Sequence, residues 1–324
     1  MEQISGANNW KLVIRREAEQ VTILQAHTCD ERAALPEELF GLPITVLGDH
    51  ALTPGRPAPA GEAVLVTCGV PPEDGWDNRA LTELKLPDSL RRVDNYALFN
   101  CTSLKTLILR DTPAHWGGGS LMNCRALDTF RITCTGQEGA LLAYLCDELI
   151  RELDVTLYRR DGAAARLIFP SYTEEHEENI PHHQFDFRIS GGGYAYHHCF
   201  YGKQFSLKTY DELWQPFLKV GHDPDGALRL AWRRLQSPVE LTREAEEQYL
   251  AYIRAHAETL AHRLLAEGDA SGLRALLRKT EWDGAALSAL SEAARRQGRT
   301  ELMAILMEEQ HGNIPVGRNR TFEL

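Results

Sequence analysis

The feature that most constrains this chain is a stretch that nearly repeats itself: LTELKLPDSLRRVDNYALFN, then CTSLKTLILR, then CRALDTFRI. Leu81, Leu104 and Leu127 recur every 23 residues, and each opens the pattern L-x-x-L-x-L or a close variant. A coil of that length cannot bury its leucines alone and shelters them only by stacking on its neighbours. The expected product is a repeat stack with a broad ribbed surface, whose work is binding.

Side chains alternate faces along a strand, so each rung of such a stack sorts its residues into inner and outer columns. Leu84, Leu107 and Phe130 fall in one inner column. Glu83, Thr106 and Thr129 form one outward column and Lys85, Ile108 and Arg131 the next, with Arg110 flanking. Rungs about 4.8 Å apart let one partner touch several of these residues, which makes them the candidate partner-binding set.

The repeat starts before its clearest copies. ITVLGDHAL, residues 44 to 52, aligns with LRRVDNYAL, residues 90 to 98, at an offset of two periods. Between them, TPGRPAPAGEAVLVTCGVPPEDGWDN is rich in Pro and Gly at both ends, with AVLVTC as a strand inside; it reads as a degenerate turn carrying loop insertions. Ahead of all this, WKLVI and VTILQ within residues 10 to 25 read as a hairpin that caps the stack.

LPDSLRRVDNYALFNCTSLKTLIL resembles the BspA-type bacterial leucine-rich repeats, whose turns run as I-x-L-P-x-S-L-x-x-I-x-x-x-A-F-x-N-C-x-x-L-x-x-I. GLPITVLGDHAL looks like that family's opening turn, G-x-P-V-T-x-I-G-x-x-A-F. The match covers about the first 135 residues; GGGSLMNCRALDTF departs from it through an insertion-like Gly-rich loop and through Leu121-Met122 where Ala-Phe is usual. The resemblance implies a leucine-rich-repeat fold and binding or adhesion-like roles.

Past residue 136 the texture changes. EGALLAYLCDELIREL places Leu141, Leu142, Leu145, Leu149 and Leu153 at helical spacing, an amphipathic helix expected to cover the C-terminal edge of the stack. DVTLYRR, ARLIFP, FDFRIS and YAYHHCF then read as short strands. From residue 207 the chain is helical, including one long helix opened by Thr242 as N-cap and closed by Gly268. GDASGLRALLR and GRTELMAILM are similar to ankyrin-type helical repeats, with Leu273 and Leu302 in corresponding places. The fold class expected is α+β: a short leucine-rich-repeat solenoid with its cap over 1–136, a central α+β segment over 137–206, an all-helical repeat region over 207–311, and a flexible tail over 312–324.

Charge and cysteine usage narrow the function. A formal net charge of −11 opposes binding to polyphosphate backbones, so nucleic acid is not an expected partner. The N-terminus does not read as a secretory signal and no apolar run is long enough to cross a bilayer, which points to a cytoplasmic protein with no membrane partner. Seven cysteines without a C-x-x-C pair argue against a disulfide framework or a zinc ribbon. Cys101 and Cys124 share a repeat position and read as thiols stacked in the interior rather than a redox pair.

The histidine-rich middle is the best case for chemistry. His176 lies among Glu174, Glu175, Glu177 and Glu178, followed by His182-His183 and His197-His198-Cys199, all residue types that ligate zinc. Against a shared ion, adjacent strand histidines point to opposite faces, no H-E-x-x-H helix exists, and EEHEEN reads as a solvated acidic loop. The aromatic set Tyr194, Tyr196, Phe200, Tyr201, Phe205, Tyr210 and Trp214 reads as core packing rather than a ligand cage. No phosphate cradle, dinucleotide fingerprint or G-x-S-x-G elbow completes itself. The first expectation is therefore a non-enzymatic protein-interaction module without cofactor. The alternative is an enzyme or metal protein using His182 or His183 with His197 or His198.

Overall fold

The computed structural model describes residues 2–70, 73–179, 184–202, 204–220 and 223–312. The chain forms two compact units, Met1–Asp223 and Pro224–Leu324. Strands and helices build the first, and the second is helical throughout its described residues. The division expected at 206/207 thus falls inside the first unit.

Six strands carry the repeat. They are β4 (Arg32–Ala34), β8 (Glu83–Lys85), β10 (Thr106–Arg110), β12 (Thr129–Thr133), β13 (Leu153–Tyr158) and β14 (Ala164–Phe169), in the order β14-β13-β12-β10-β8-β4. All neighbours are parallel except β14, which runs antiparallel to β13. Their registers join Ala33, Leu84, Leu107, Phe130, Val155 and Leu167 into one inner row. All six are buried, Leu84, Leu107 and Phe130 at 0% exposure. Burying an aliphatic side chain of this size stabilises by about 1.5–3 kcal/mol, so this row and the next one (Leu109, Ile132, Leu157 and Ala165) form the main apolar store of the stack.

A second sheet is mixed. It is ordered β1-β7-β2-β3-β6-β9-β11, with β1 (Glu2–Ser5), β7 (Glu62–Thr67), β2 (Trp10–Arg16), β3 (Val21–His27), β6 (Leu42–Leu47), β9 (Arg92–Val93) and β11 (His115–Trp116); β5 (Glu38–Leu39) pairs with β6. The expected hairpin is β2–β3, and β3 adds to the stack by pairing parallel with β6.

Leu47 pairs directly with Val93, so the two-period offset is not filled by an intervening rung. The segment read as a degenerate turn instead leaves the stack: β7 pairs antiparallel with β2, Trp10 opposite Val66, and parallel with β1. AVLVTC is a strand, but it serves the cap. The Gly-rich loop is likewise no insertion, because Val93 still pairs with Trp116 one period on. A Cβ at Gly117 would stand 2.4 Å from the Asn95 nitrogen, so glycine is what lets this coil lie flat on the previous one.

The coil corners need left-handed backbone. Asn78, Asn100 and Asn123 supply it with φ of 63°, 63° and 61°, the region Asn tolerates better than most residues. Asn78 is buried and donates to the carbonyls of Ala26 and Leu52, each at 2.8 Å, while accepting from the Thr28 N–H. One residue further on, the thiols of Cys101 and Cys124 donate to the carbonyls of Leu52 and Leu98 at 3.4 and 3.1 Å. Burial raises both thiols, Cys124 to about 12. They are packed, protonated side chains.

The leucine-spaced segment folds as α1 (Glu138–Glu148), with Leu141, Leu142 and Leu145 buried. Buried Asp111 of the preceding coil accepts from the N–H groups of Thr135, Gly136 and Gln137, fixing the entry to this helix. The helix does not cover the sheet edge as expected, since β13 continues the parallel ladder and β14 ends it. Leu153 opens β13 rather than extending the helix.

Single side chains cap backbone groups at both edges of the six-stranded sheet. At β4, Asn8 donates to the Arg32 carbonyl at 3.1 Å and accepts the Ala34 N–H at 2.9 Å, as a neighbouring strand would. At β14, Tyr210 of α3 (Leu207–Glu212) serves both polar groups of Ile168. An open edge invites pairing with another chain, and here Asn8 covers β4 and Tyr210 covers β14 at Ile168.

EEHEEN, expected as a loop, is strand β15 (Thr173–Asn179), paired antiparallel with β16 (Gln184–Ser190). YAYHHCF, expected as a strand, contains helix α2 (Tyr194–His197). A Cβ at Gly193 would meet the Pro170 carbonyl oxygen at 1.9 Å, so the helix starts pressed against backbone where a side-chain-bearing strand has no room. Tyr196, Tyr210 and Trp214 are buried around Phe169, with α4 (Trp214–Val220) adding Phe217. Of the aromatic set, Phe200 and Phe205 are half-buried against Phe169, and Tyr194 and Tyr201 are exposed.

The second unit comprises α5 (Pro224–Gln236), α6 (Arg243–Ala255), α7 (Ala257–Glu267), α8 (Ala270–Lys279), α9 (Gly284–Arg296) and α10 (Thr300–Gly312). Thr242 caps α6 and Gly268, at φ 75°, ends α7, as expected. The single long helix between them is broken at His256, whose Nδ1 lies 2.9 Å from the Tyr252 carbonyl oxygen and whose ring stacks on Tyr252. Helices α7 and α8 pack on each other and on α9 and α10, which pair in turn, with Leu273 and Leu302 both buried. The tail from residue 313 lies outside the described residues.

Candidate functional site

The outer face of the six-stranded sheet holds every residue singled out for partner contact. Register places Arg32, Glu83, Thr106, Thr129, Asp154 and Ile168 in one outer row, its Ile168 end buried, and Ala34, Lys85, Ile108, Arg131, Thr156 and Arg166 in the next. Arg110, Thr133 and Tyr158 make a third. The expected columns are therefore rows of one continuous face.

Thr106 differs from expectation: it is buried, at 9% exposure. Glu83 and Thr129 flank it in register, and the Arg131 guanidinium reaches back to within 3.5 Å of Glu83 Oε2. Ile108 is half-buried rather than exposed. Glu83, Lys85, Arg110 and Thr129 are partly open and Arg131 is exposed.

The cations on this face have acidic neighbours. Lys85 lies 3.1 Å from Glu37, Arg110 3.8 Å from Asp88, and Arg131 pairs with Glu83. Such solvent-exposed pairs contribute at most about 1 kcal/mol each and exchange readily for another anion. The face thus carries Thr, Ile, Tyr, Arg and Lys side chains together with the carboxylates of Glu83 and Asp154.

Thr156, Tyr158 and Arg166 join this face although the change of texture past residue 136 suggests a separate segment. A signal for the first two is present, since DVTLYRR alternates polar and apolar residues in the same phase as the rungs, whereas ARLIFP is apolar after Arg166 and gives none. Tyr158 is 44% exposed, and Arg166 is exposed with no ionic partner among the described residues.

Of the histidine-rich middle, His197 and His198 make separate contacts. His197 is buried, its Nδ1 lies 3.1 Å from the Cys146 carbonyl oxygen, and its ring packs edge-on to Tyr172 and Phe169. Burial holds its imidazole below the usual pKa. His198 turns back along its own helix to the Tyr194 carbonyl and stacks on Tyr194. His182 and His183 lie outside the described residues. Among the described residues no three His, Cys, Asp or Glu side chains converge as a metal-holding group. No helix among them is long and apolar enough to cross a membrane.

Comparison with known proteins gives little. No protein-family profile matches the chain, and no curated protein matches it. Two solved structures are similar to part of it, and both are leucine-rich repeat proteins. One is a leucine rich cell surface protein from Faecalibacterium prausnitzii A2-165, at 17% identity and TM-score 0.25, over 40% of this chain and 32% of that one. The other is a leucine-rich repeat protein of T. pallidum, at 16% identity and TM-score 0.22, over 37% of this chain and 68% of that one. This chain spans about a third of the first neighbour's length.

Proposed function

We propose that the protein is a non-enzymatic protein-interaction module: its coils form a short BspA-like leucine-rich solenoid, and the outer face of the six-stranded sheet docks a partner protein. One observation carries this reading. The sheet's inner rows are buried, and Asn8 and Tyr210 cap backbone groups at its two edges, so the outer face from Lys85 to Arg166 is the broad surface that supports docking. A partner docks there through side chains rather than by adding a strand.

The chain's charge of −11 supports a protein partner over nucleic acid. Seven unpaired cysteines suit a reducing compartment, and the cytoplasm is the setting we assign. The paired packing of α7 with α8 and of α9 with α10 supports an ankyrin-like role for the second unit, as a further protein-binding surface.

The test is a photo-crosslinking residue placed at Thr129, with a control at exposed Met122, in cells that express the protein. A single stoichiometric partner is expected at Thr129 and none at Met122, and capture should be lost in the Lys85→Glu, Arg131→Glu double variant. Equal capture at both positions, or capture indifferent to the double variant, contradicts the reading.

A further inference from the structure

The charge of the outer face runs against that of the chain. Two adjacent rows contain no acidic residue: Lys85, Ile108, Arg131 and Arg166 stand in one, and Arg110 and Tyr158 in the other. The anions that neutralise these cations come from outside the two rows, namely Glu37, Asp88 and Glu83. Arg166 has no ionic partner among the described residues. On a protein of net charge −11, this is a local cationic strip with an aliphatic and an aromatic side chain set in it.

We propose that the strip binds an acidic, extended peptide segment of the partner protein, lying across the strands. This rests on the docking function proposed above and names the chemistry of the partner. Lys85, Arg131 and Arg166 are each separated by two strands, which at about 4.8 Å per strand is roughly 10 Å. A polyproline II segment rises about 3.1 Å per residue and returns to the same face every third residue, roughly every 9 Å. Carboxylates at every third position therefore meet the three cations in turn. Ile108 lies under the peptide backbone between the first two cations, and Tyr158 gives the apolar contact that anchors such segments. Each incoming carboxylate replaces an exposed intramolecular one, an exchange that costs little because such pairs are weak.

The probe is a fluorescently labelled Glu-Pro-Pro repeat peptide titrated with the full-length protein, alongside a Gln-Pro-Pro repeat and a single-stranded oligonucleotide. The Glu peptide is expected to bind, the Gln peptide and oligonucleotide to bind far more weakly, and added salt to weaken the Glu complex. Arg131→Glu and Arg166→Glu should each raise Kd about tenfold, the effect of losing roughly 1.4 kcal/mol. Glu83→Gln should lower Kd, because it removes the carboxylate competing for Arg131; a purely structural Glu83 predicts no such gain. Unchanged thermal melting in all three variants shows the fold is intact. The inference is overturned if the Glu peptide does not bind, if the oligonucleotide binds as well, or if Kd ignores the three substitutions. Crosslinking of a partner at Thr129 alongside a failed peptide titration sinks this inference alone, whereas loss of both sinks the docking reading too.

Discussion

The Tyr210 hydroxyl donates to the Ile168 carbonyl oxygen at 2.5 Å and accepts the Ile168 N–H at 3.1 Å, so one side chain satisfies both edge-facing groups of that residue. Both partners are buried. Tyr210→Phe leaves a buried donor and a buried acceptor unpaired. It should lower the unfolding free energy by about 1–3 kcal/mol in urea titration. Because the edge strand is then open to other chains, light scattering during unfolding should also rise relative to the parent protein.

Asn78 joins the cap, the excursion and the first coil through three hydrogen bonds made in a left-handed conformation. Asn78→Gly should relieve the backbone requirement but lose all three bonds, and Asn78→Ala loses the bonds and strains the backbone as well. Urea midpoints should fall in the order Asn, Gly, Ala. An alanine variant as stable as the glycine one contradicts the left-handed role.

The thiols should separate by burial. Cys68 is exposed, while burial raises Cys134 and Cys199 to about 12 and holds Cys101 and Cys146 well above the usual thiol value. An aromatic disulfide reagent at pH 8 should modify Cys68 rapidly in the native protein and reach those four, with Cys124, only on denaturation. Peptide mapping after a short exposure reads this directly.

His27 and His197 are both held below their ordinary value of 6.5, chiefly by burial. Their protonated forms are favoured in the unfolded chain, so the unfolded state binds more protons as pH falls below 6.5. Stability is full above that pH and is lost as pH drops from it toward the folded-state values. The melting temperature should decline between about pH 6.5 and 5, a window above that of the carboxylates. A His197→Asn variant should show a shallower decline over this window.

What the sequence discloses follows the range of the interactions concerned. The inner column of Leu84, Leu107 and Phe130 is legible because each coil writes the same local pattern. The pairing of β7 with β2 is not, since strand propensity names no partner and Trp10 meets Val66 only through tertiary packing. Charge misled at EEHEEN, where pairing with β16 overrides a polar composition. At YAYHHCF, aromatic alternation suggested a strand, yet Gly193 against the Pro170 backbone admits a helix start. The edge closures by Asn8 and Tyr210 left no trace, because a single polar side chain far along the chain carries no periodicity. On the docking face, the row ends at Arg131 in the sequence reading because the texture changes past residue 136 and ARLIFP carries no signal for Arg166.

Neighbours Leu107 and Ile108 provide the most direct test, because they share a strand and point to opposite faces. Urea unfolding and Glu-peptide binding should be measured on Leu107→Ala and Ile108→Ala in parallel. Leu107→Ala is expected to cost about 2–5 kcal/mol of stability, while Ile108→Ala should keep the fold near its parent stability and weaken binding. If Ile108→Ala destabilises as much as Leu107→Ala, or if binding survives it unchanged, the account of a filled inner column and a free docking face is wrong.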